Sequence, residues 1–366
     1  MRIVHVTDTY LPRVGGIELH VADLAARQSA DGADVTVVTA RTPGTDARPH
    51  RSPEGVRIVP VPSVPGALGV DRRLRRVLAD LDADVVHGHL SVASPFAWAG
   101  LRQARRPRVA TLHSMLPAHA GLVRAGLRVA VPAGEVAFTA VSRVAADRLA
   151  AALPEGVEVG VLHNGIDADR WRLTHRPTGR FEILVVGRLA ARKRTLVVVG
   201  ALARLRDLAP DLDWHATIVG DGPQRARVVD AVRRHRLERH VHLPGALSRE
   251  QIRDHLARAD AFVAAATLES FGIAALEARC AGVPVVAMAA GGVTEFVRDG
   301  VEGLLARDDA HLAPTLLRLA QDPALAARIR RHNAEVATGM EWTSVLREHR
   351  ELYARVRADH LSGALQ

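Results

Sequence analysis

An α/β protein built from two doubly wound parallel-sheet halves is predicted by three observations. Short β-branched runs recur along the chain, each followed by a longer stretch with helical spacing. That rhythm breaks once, near residues 169–179, and then restarts. The length of 366 residues exceeds what one hydrophobic core usually organises, and 48% apolar with 24% charged residues is the composition of an ordered protein.

In the first half the runs are RIVHVT (2–7), DVTVVTA (34–40), VRIVPV (56–61), DVVHGH (84–89), RVATLH (108–113), VAFTAVS (136–142) and VEVGVLHNG (157–165), with a first helix from about Ile17. Buried runs of this length separated by helices predict βαβ units, because each crossover must return over a face of the sheet. The stretch from Asp167 to Arg180 has little periodicity and holds Pro177 and Gly179, which marks a linker. The second half repeats the pattern with FEILVVG (181–187), WHATIVG (214–220), HVHLPG (240–245), DAFVAA (260–265), PVVAMA (284–289) and EGLLA (302–306). In the tail, Trp342, Val345, Leu346, Leu352, Tyr353 and Val356 form one helical stripe suited to capping either half. The expected division is 1–168, a linker at 169–179, 180–345, and a closing helix at 346–366.

Net charge is +9, and 49 lysines and arginines include a single lysine, Lys193. Arginine dominance of this degree reads as coding bias, and a basic total attracts anions without choosing among them. Cys280 is the only cysteine, which excludes an internal disulfide and points to a reducing compartment. The opening MRIVHVTDTYLP meets Asp8 too early for a secretory apolar core, and no run nears the roughly 20 apolar residues of a membrane span. The expectation is a soluble, cytoplasmic protein.

Two stretches carry candidate chemistry in the second half. In VVGRLAARK, Gly187 and Arg188 follow a strand and Lys193 stands near the next helix start, so both cations can converge at the strand's carboxyl edge, where doubly wound sheets bind ligands. A guanidinium fork and a compact ammonium together suit a diphosphate, and a solvated basic turn is the plain alternative. In TLESFGIAALEARCAG, a helix opening near Gly272 leaves Glu269 in the preceding loop and Glu277 in the second turn. A phosphate at that helix start would be flanked by two acceptors for sugar hydroxyls. Capping and surface glutamates explain the same spacing equally well.

Other signals are weaker. Gly15 and Gly16 open the first helix and let backbone approach a ligand, as does Gly220 in VGDGP, although neither is a G-x-G-x-x-G fingerprint. His113 ends one strand, and His87 and His89 end another. The H-x-H pair lacks a third ligand at convincing spacing, and D-x-D triplets recur too often to signal a metal, so no metal is expected. In DRRLRRVLADL, Leu74, Val77, Leu78 and Leu81 fall on one helical face, and Arg72, Arg73, Arg75 and Arg76 fall largely on the other. A solvated face is the default there, and an anionic-membrane or acceptor surface, with His89, is the alternative.

The ordered set GGIELH, TLH, VLHNGID, VGRLAARK, VGDGP, ESFGIAALEA, GVPVVA and GGVTEFVRDGVEGLL resembles the retaining glycosyltransferases of family 4, over nearly the whole chain. The resemblance implies a GT-B fold: two Rossmann-like domains facing across a cleft, with the C-terminal helix crossing back to the first. It implies a nucleotide-sugar donor held mainly by the second domain and an acceptor held by the first. Arg188 and Lys193 would hold the diphosphate, Glu277 the ribose and Glu269 the sugar. The backbone at Phe271, Gly272, Ile273, Gly220 and the Gly15–Gly16 turn would contact sugar and phosphate, and His113 would sit beside the reacting sugar. Such enzymes need no metal and no cofactor beyond the donor, and nucleic acid is not an expected partner. The basic run resembles the membrane-touching segment of phosphatidylinositol mannosyltransferases, while GGIELH departs from the asparagine-bearing turn of the inositol-phosphate type. Two other readings are a two-domain dehydrogenase, disfavoured without G-x-G-x-x-G, and a non-catalytic basic protein binding nucleotide or anionic lipid.

Overall fold

Residues 1–13, 15–41, 48–62, 72–116 and 136–363 are described by a computed structural model. The chain forms two units, Met1–Gly165 with Trp342–Gln366, and Ile166–Glu341.

The first unit holds β1 (Arg2–Thr7), β2 (Asp34–Ala40), β3 (His50–Arg51), β4 (Arg57–Val61), β5 (Val85–Leu90), β6 (Arg108–Leu112), β7 (Val136–Ala140) and β8 (Val159–Val161). They make one eight-stranded sheet in the order β3-β4-β2-β1-β5-β6-β7-β8. Every pairing is parallel except the antiparallel edge β3–β4. At two residues, His50–Arg51 is too short to show an alternation, so the sequence gives no hint of β3.

Side chains alternate across this sheet. Val4, Val6, Val86, Ala110 and Leu112 pack under α2 (Arg72–Asp80), α3 (Pro95–Gln103) and α4 (Arg143–Ala150) through Leu74, Phe96, Leu101, Ala145 and Leu149. On the opposite face Ile3, Val35, Val85 and Val109 meet Val21 and Ala25 of α1 (Gly16–Ala30), and Leu352 and Tyr353 of the last helix, α12 (Trp342–Gly363). Leu24 of α1 also packs on Trp342 and Val345. Burying each of these larger apolar side chains is worth roughly 1.5–3 kcal/mol, so the tail stripe is consumed in the first unit.

The second unit begins with a short helix, α5 (Ala168–Trp171), capped by the Asp167 carboxylate and anchored by buried Trp171. Its strands are β9 (Phe181–Val186), β10 (Trp214–Val219), β11 (Val241–Gly245), β12 (Ala261–Ala264), β13 (Val285–Met288) and β14 (Gly303–Ala306). The order β11-β10-β9-β12-β13-β14 is all parallel. Helices α6 (Thr195–Leu208), α7 (Arg225–Arg234), α8 (Arg249–Leu256), α9 (Ile273–Cys280), α10 (Asp309–Gln321) and α11 (Pro323–Glu335) complete it. The strand order reverses about β9, whose neighbours are β10 and β12. In such sheets the carboxyl ends at the reversal are where ligands bind.

Candidate functional site

Three loops leave the carboxyl ends of β9, β10 and β12 side by side. After β9 the chain passes Gly187 and exposed Arg188, then makes a 3-10 turn at Ala191–Lys193. Leu189 is buried, its N–H donates to the Asp221 carbonyl at 2.8 Å, and its own carbonyl accepts from the Gln224 N–H at 2.9 Å, so this turn is tied to the one after β10. Arg194 closes it in the left-handed region, with its guanidinium on both Asp309 oxygens at 2.7 and 2.6 Å and on the Ala265 carbonyl at 3.3 Å.

Lys193 is thereby aimed at the loop after β12. Its Nζ donates to Glu269 Oε2 at 2.5 Å, and the two side chains are 27% and 13% exposed, an ion pair that is partly shielded yet reachable. Gly272 caps α9 with φ of 98°, where a Cβ would lie 2.8 Å from Val293 Cγ2, so a side chain there is both strained and crowded. The helix start at Ile273 carries no side-chain cap, and Phe271 is buried against Phe296, ring centroids 5.5 Å apart. Glu277 is half-buried in the second turn. The sequence reading missed the partner of this loop: Gly292 donates its N–H to the Glu269 carbonyl at 2.8 Å. The glycine pair Gly291–Gly292, separated from β13 by two residues, opens the motif GGVTEFVRDGVEGLL, which the sequence offered without showing what it touches.

In the first unit, Gly15 caps α1 beside the Glu18 side chain and Gly16 starts the helix, and Glu18 accepts a hydrogen bond from Thr9 Oγ1 at 2.8 Å. The histidines are drawn together by register. His5 pairs with His87 across β1–β5, His89 pairs with Thr111 across β5–β6, and His113 follows β6. All lie on the face that α1 and α12 cover, and all are buried. Burial lowers His113 to about 3 and His5 to about 4, and takes His20, His87 and His89 well below the usual 6.5. The imidazoles are therefore neutral.

Two expectations change here. His89 belongs to no surface: at 2% exposure it lies inside the unit, because its strand is central and its side chain points under α1 and α12. The H-x-H pair also gains a third imidazole from β1, since ring nitrogens of His5, His87 and His89 come within 4.8 Å of one another. Sequence spacing could not show this, as His5 is 82 residues before His87. Each of those ring nitrogens already has a hydrogen-bond partner, so a cation would have to displace them.

Arg72, Arg73, Arg75 and Arg76 are exposed on α2, with Leu74 and Leu78 buried beneath. The apolar stretch AHAGLVRAGLRVAVPAG, residues 118–134 of the sequence, lies outside the described residues. Among the described residues no helix is long and apolar enough to cross a membrane.

Comparison with known proteins agrees with this architecture. Residues 167–336 match the family described as "Glycosyl transferases group 1", and residues 14–170 match "Glycosyltransferase Family 4". The chain is 33% identical to a glycogen synthase of Mycobacterium tuberculosis, covering 96% of this chain and 94% of that one. It is 30% identical to a GDP-mannose-dependent alpha-(1-6)-phosphatidylinositol monomannoside mannosyltransferase of the same species, covering 99% and 98%. In fold it is similar to the sucrose-phosphate synthase of Thermosynechococcus elongatus (TM-score 0.79, 21% identity, 98% and 99% covered). It is also similar to HepE of Anabaena, solved with UDP-glucose (TM-score 0.76, 22% identity, 97% and 100% covered). The chain belongs to family 4 of the retaining glycosyltransferases.

Proposed function

We propose that this glycosyltransferase holds a nucleotide-diphosphate hexose in its second unit, with Arg188 and Lys193 on the diphosphate, Glu277 on the ribose hydroxyls and Glu269 on the hexose. The observation that carries the reading is the contact between Lys193 and Glu269. The chain's one lysine and a carboxylate from a loop 76 residues away meet at the carboxyl edge of two adjacent strands. Without donor, Glu269 holds the ammonium in place. With donor, the ammonium turns to the phosphate and the carboxylate is released to accept sugar hydroxyls.

The first unit receives the acceptor, a hydroxyl of a lipid, polyol or glycan, with His113 beside the reacting sugar. The hydroxyl attacks on the face from which the diphosphate departs, and a phosphate oxygen takes its proton. The anomeric carbon gains the new C–O bond as the bond to the diphosphate breaks. The protein's part is positioning and stabilising charge on the leaving diphosphate. A non-catalytic binding protein is disfavoured by membership of a transferase family and by relatives named as transferases.

Calorimetric comparison of GDP, UDP and ADP identifies the base, and transfer from the matching sugar nucleotide tests the residues. Lys193→Ala is expected to lose about 2–4 kcal/mol of transition-state stabilisation in kcat/KM. Unchanged turnover in that variant refutes the role. The exposed arginines of α2 support one further element of the reading, a peripheral contact with anionic lipid.

A further inference from the structure

One hydrogen-bonded line of side chains runs through the first unit. His113 Nε2 is 2.9 Å from His89 Nδ1, His89 Nε2 is 2.9 Å from His5 Nδ1, and His5 Nε2 is 2.7 Å from Gln28 Oε1. The same amide carries the line onward: Gln28 Nε2 donates to the Tyr353 hydroxyl at 3.4 Å, and that hydroxyl lies 2.7 Å from His87 Nδ1. His87 Nε2 is 2.6 Å from Thr111 Oγ1, Thr111 Oγ1 is 2.6 Å from Thr139 Oγ1, and Thr139 Oγ1 donates to the Ala110 carbonyl at 3.4 Å. Every side chain in the line is buried.

The direction of this line follows from its end. A neutral imidazole has one N–H and one lone pair, and a hydroxyl has one hydrogen, so each imidazole and hydroxyl in the line donates once, while the Gln28 amide donates through nitrogen and accepts through oxygen. The Ala110 carbonyl has no hydrogen to give. Thr139 therefore donates to it, Thr111 to Thr139, His87 Nε2–H to Thr111, and the Tyr353 hydroxyl to His87 Nδ1. Tyr353 then accepts from the Gln28 amide nitrogen, which turns the amide oxygen to His5. His5 donates its Nε2–H to that oxygen, His89 donates to His5, and His113 donates to His89.

We propose that this chain, anchored on the Ala110 carbonyl and turned at Gln28, fixes the tautomer of His113, with the hydrogen on Nε2 and the lone pair on Nδ1. Any group that His113 engages through Nδ1 must then be a donor; the Asn164 side chain, which hydrogen-bonds to His113, would have to do so through its amide N–H, and a sugar hydroxyl would have to displace or join it. Gln28 on α1 and Tyr353 on α12 are positioning residues that act on His113 through His5, His89 and His87. Reversing one member would set two hydrogens or two lone pairs against each other at some link, and in a buried line that fault has no water to absorb it. The consequence for transfer rests on the placement of His113 beside the reacting sugar; the tautomer itself does not.

The test uses the full chain labelled with nitrogen-15 histidine and read by two-bond proton–nitrogen correlation spectra, with single histidine replacements for assignment. The wild type is expected to show the hydrogen on Nε2 at His5, His87, His89 and His113. A bare Nε2 at His89 or His113 overturns the proposal without any variant. Gln28→Met removes the amide at similar volume. It is expected to populate both tautomers at His113 and to lower kcat about ten- to a hundred-fold, by analogy with the loss of an outer partner that orients a metal-bound histidine, with donor KM unchanged. A His113 signal in Gln28→Met identical to wild type also overturns it. If the tautomers shift while kcat holds, the chain stands as described, and the placement of His113 at the reacting sugar is what fails.

Discussion

Gly220 shows how narrowly single residues set the donor side. Its φ is 136°, and a Cβ there would fall 1.9 Å from the Gly187 carbonyl oxygen, a backbone atom that cannot step aside. Gly220→Ala is expected to destabilise the second unit by about 2–4 kcal/mol, from backbone strain and overpacking together. Urea unfolding followed by hydrogen exchange of 181–245 peptides measures it, and a change within error would show that the two turns can separate freely. At this scale the sequence was informative where chemistry sits next to a strand end. Lys193 stood out as the one lysine after a glycine-ended run, and Glu269 as an acid before a helix start, and the structure sets the two in contact. Gln28 and His5 gave no such signal, because a buried polar residue in a helix or strand looks like any other until its partners are known.

Among the elements, α2 raises its own question. Four arginines stand exposed over a Leu74–Leu78 stripe that the sheet already buries. The apolar side is therefore occupied, and an anionic surface would be met by charge. Each basic residue near such a surface is worth about 1 kcal/mol. Replacing Arg72, Arg73, Arg75 and Arg76 by glutamine is expected to abolish co-sedimentation with vesicles containing anionic lipid, while leaving the helix in place. Salt should weaken wild-type binding in step. Wild-type protein that ignores such vesicles at low salt ends the idea. Helices and strands of this length were legible from periodicity, as the repeated runs and the C-terminal stripe show. The two-residue strand β3 and the four-residue α5 were not, because neither is long enough to display a period.

For the molecule as a whole, the two units should answer acid differently. Burial holds His5 and His349, the latter on α12, at about 4 and His113 at about 3, and it also depresses His20, His87 and His89 well below 6.5. A group whose folded pKa lies below its unfolded value stabilises the fold above the unfolded value and loses that contribution as pH falls toward the folded one. An imidazole of this kind costs the first unit about 1.4 kcal/mol per pH unit, from 6.5 down to its folded value. In the second unit, burial pushes the Glu302 carboxyl up, but hydrogen bonds from Arg298 and His332 and the Arg279 charge outweigh it and bring it to about 2. Its contribution is kept until pH drops below 4.5. Hydrogen exchange read by mass spectrometry between pH 7 and 4 should show the first unit opening before the second. The reverse order, or simultaneous opening, would mean that the histidine cluster is hydrated.

The alternation of apolar runs with helices and one interruption determined the two-sheet fold, because the period of burial is a local property of a strand or a helix. The motif order determined the family, because loops at strand ends carry the chemistry. Which side chains touch was decided by tertiary structure alone. His5, Gln28, His89 and Tyr353 come from β1, α1, β5 and α12, and only strand register and the return of the last helix bring them into one line. Parallel sheets place neighbours at long sequence separation, and no spacing along the chain records that.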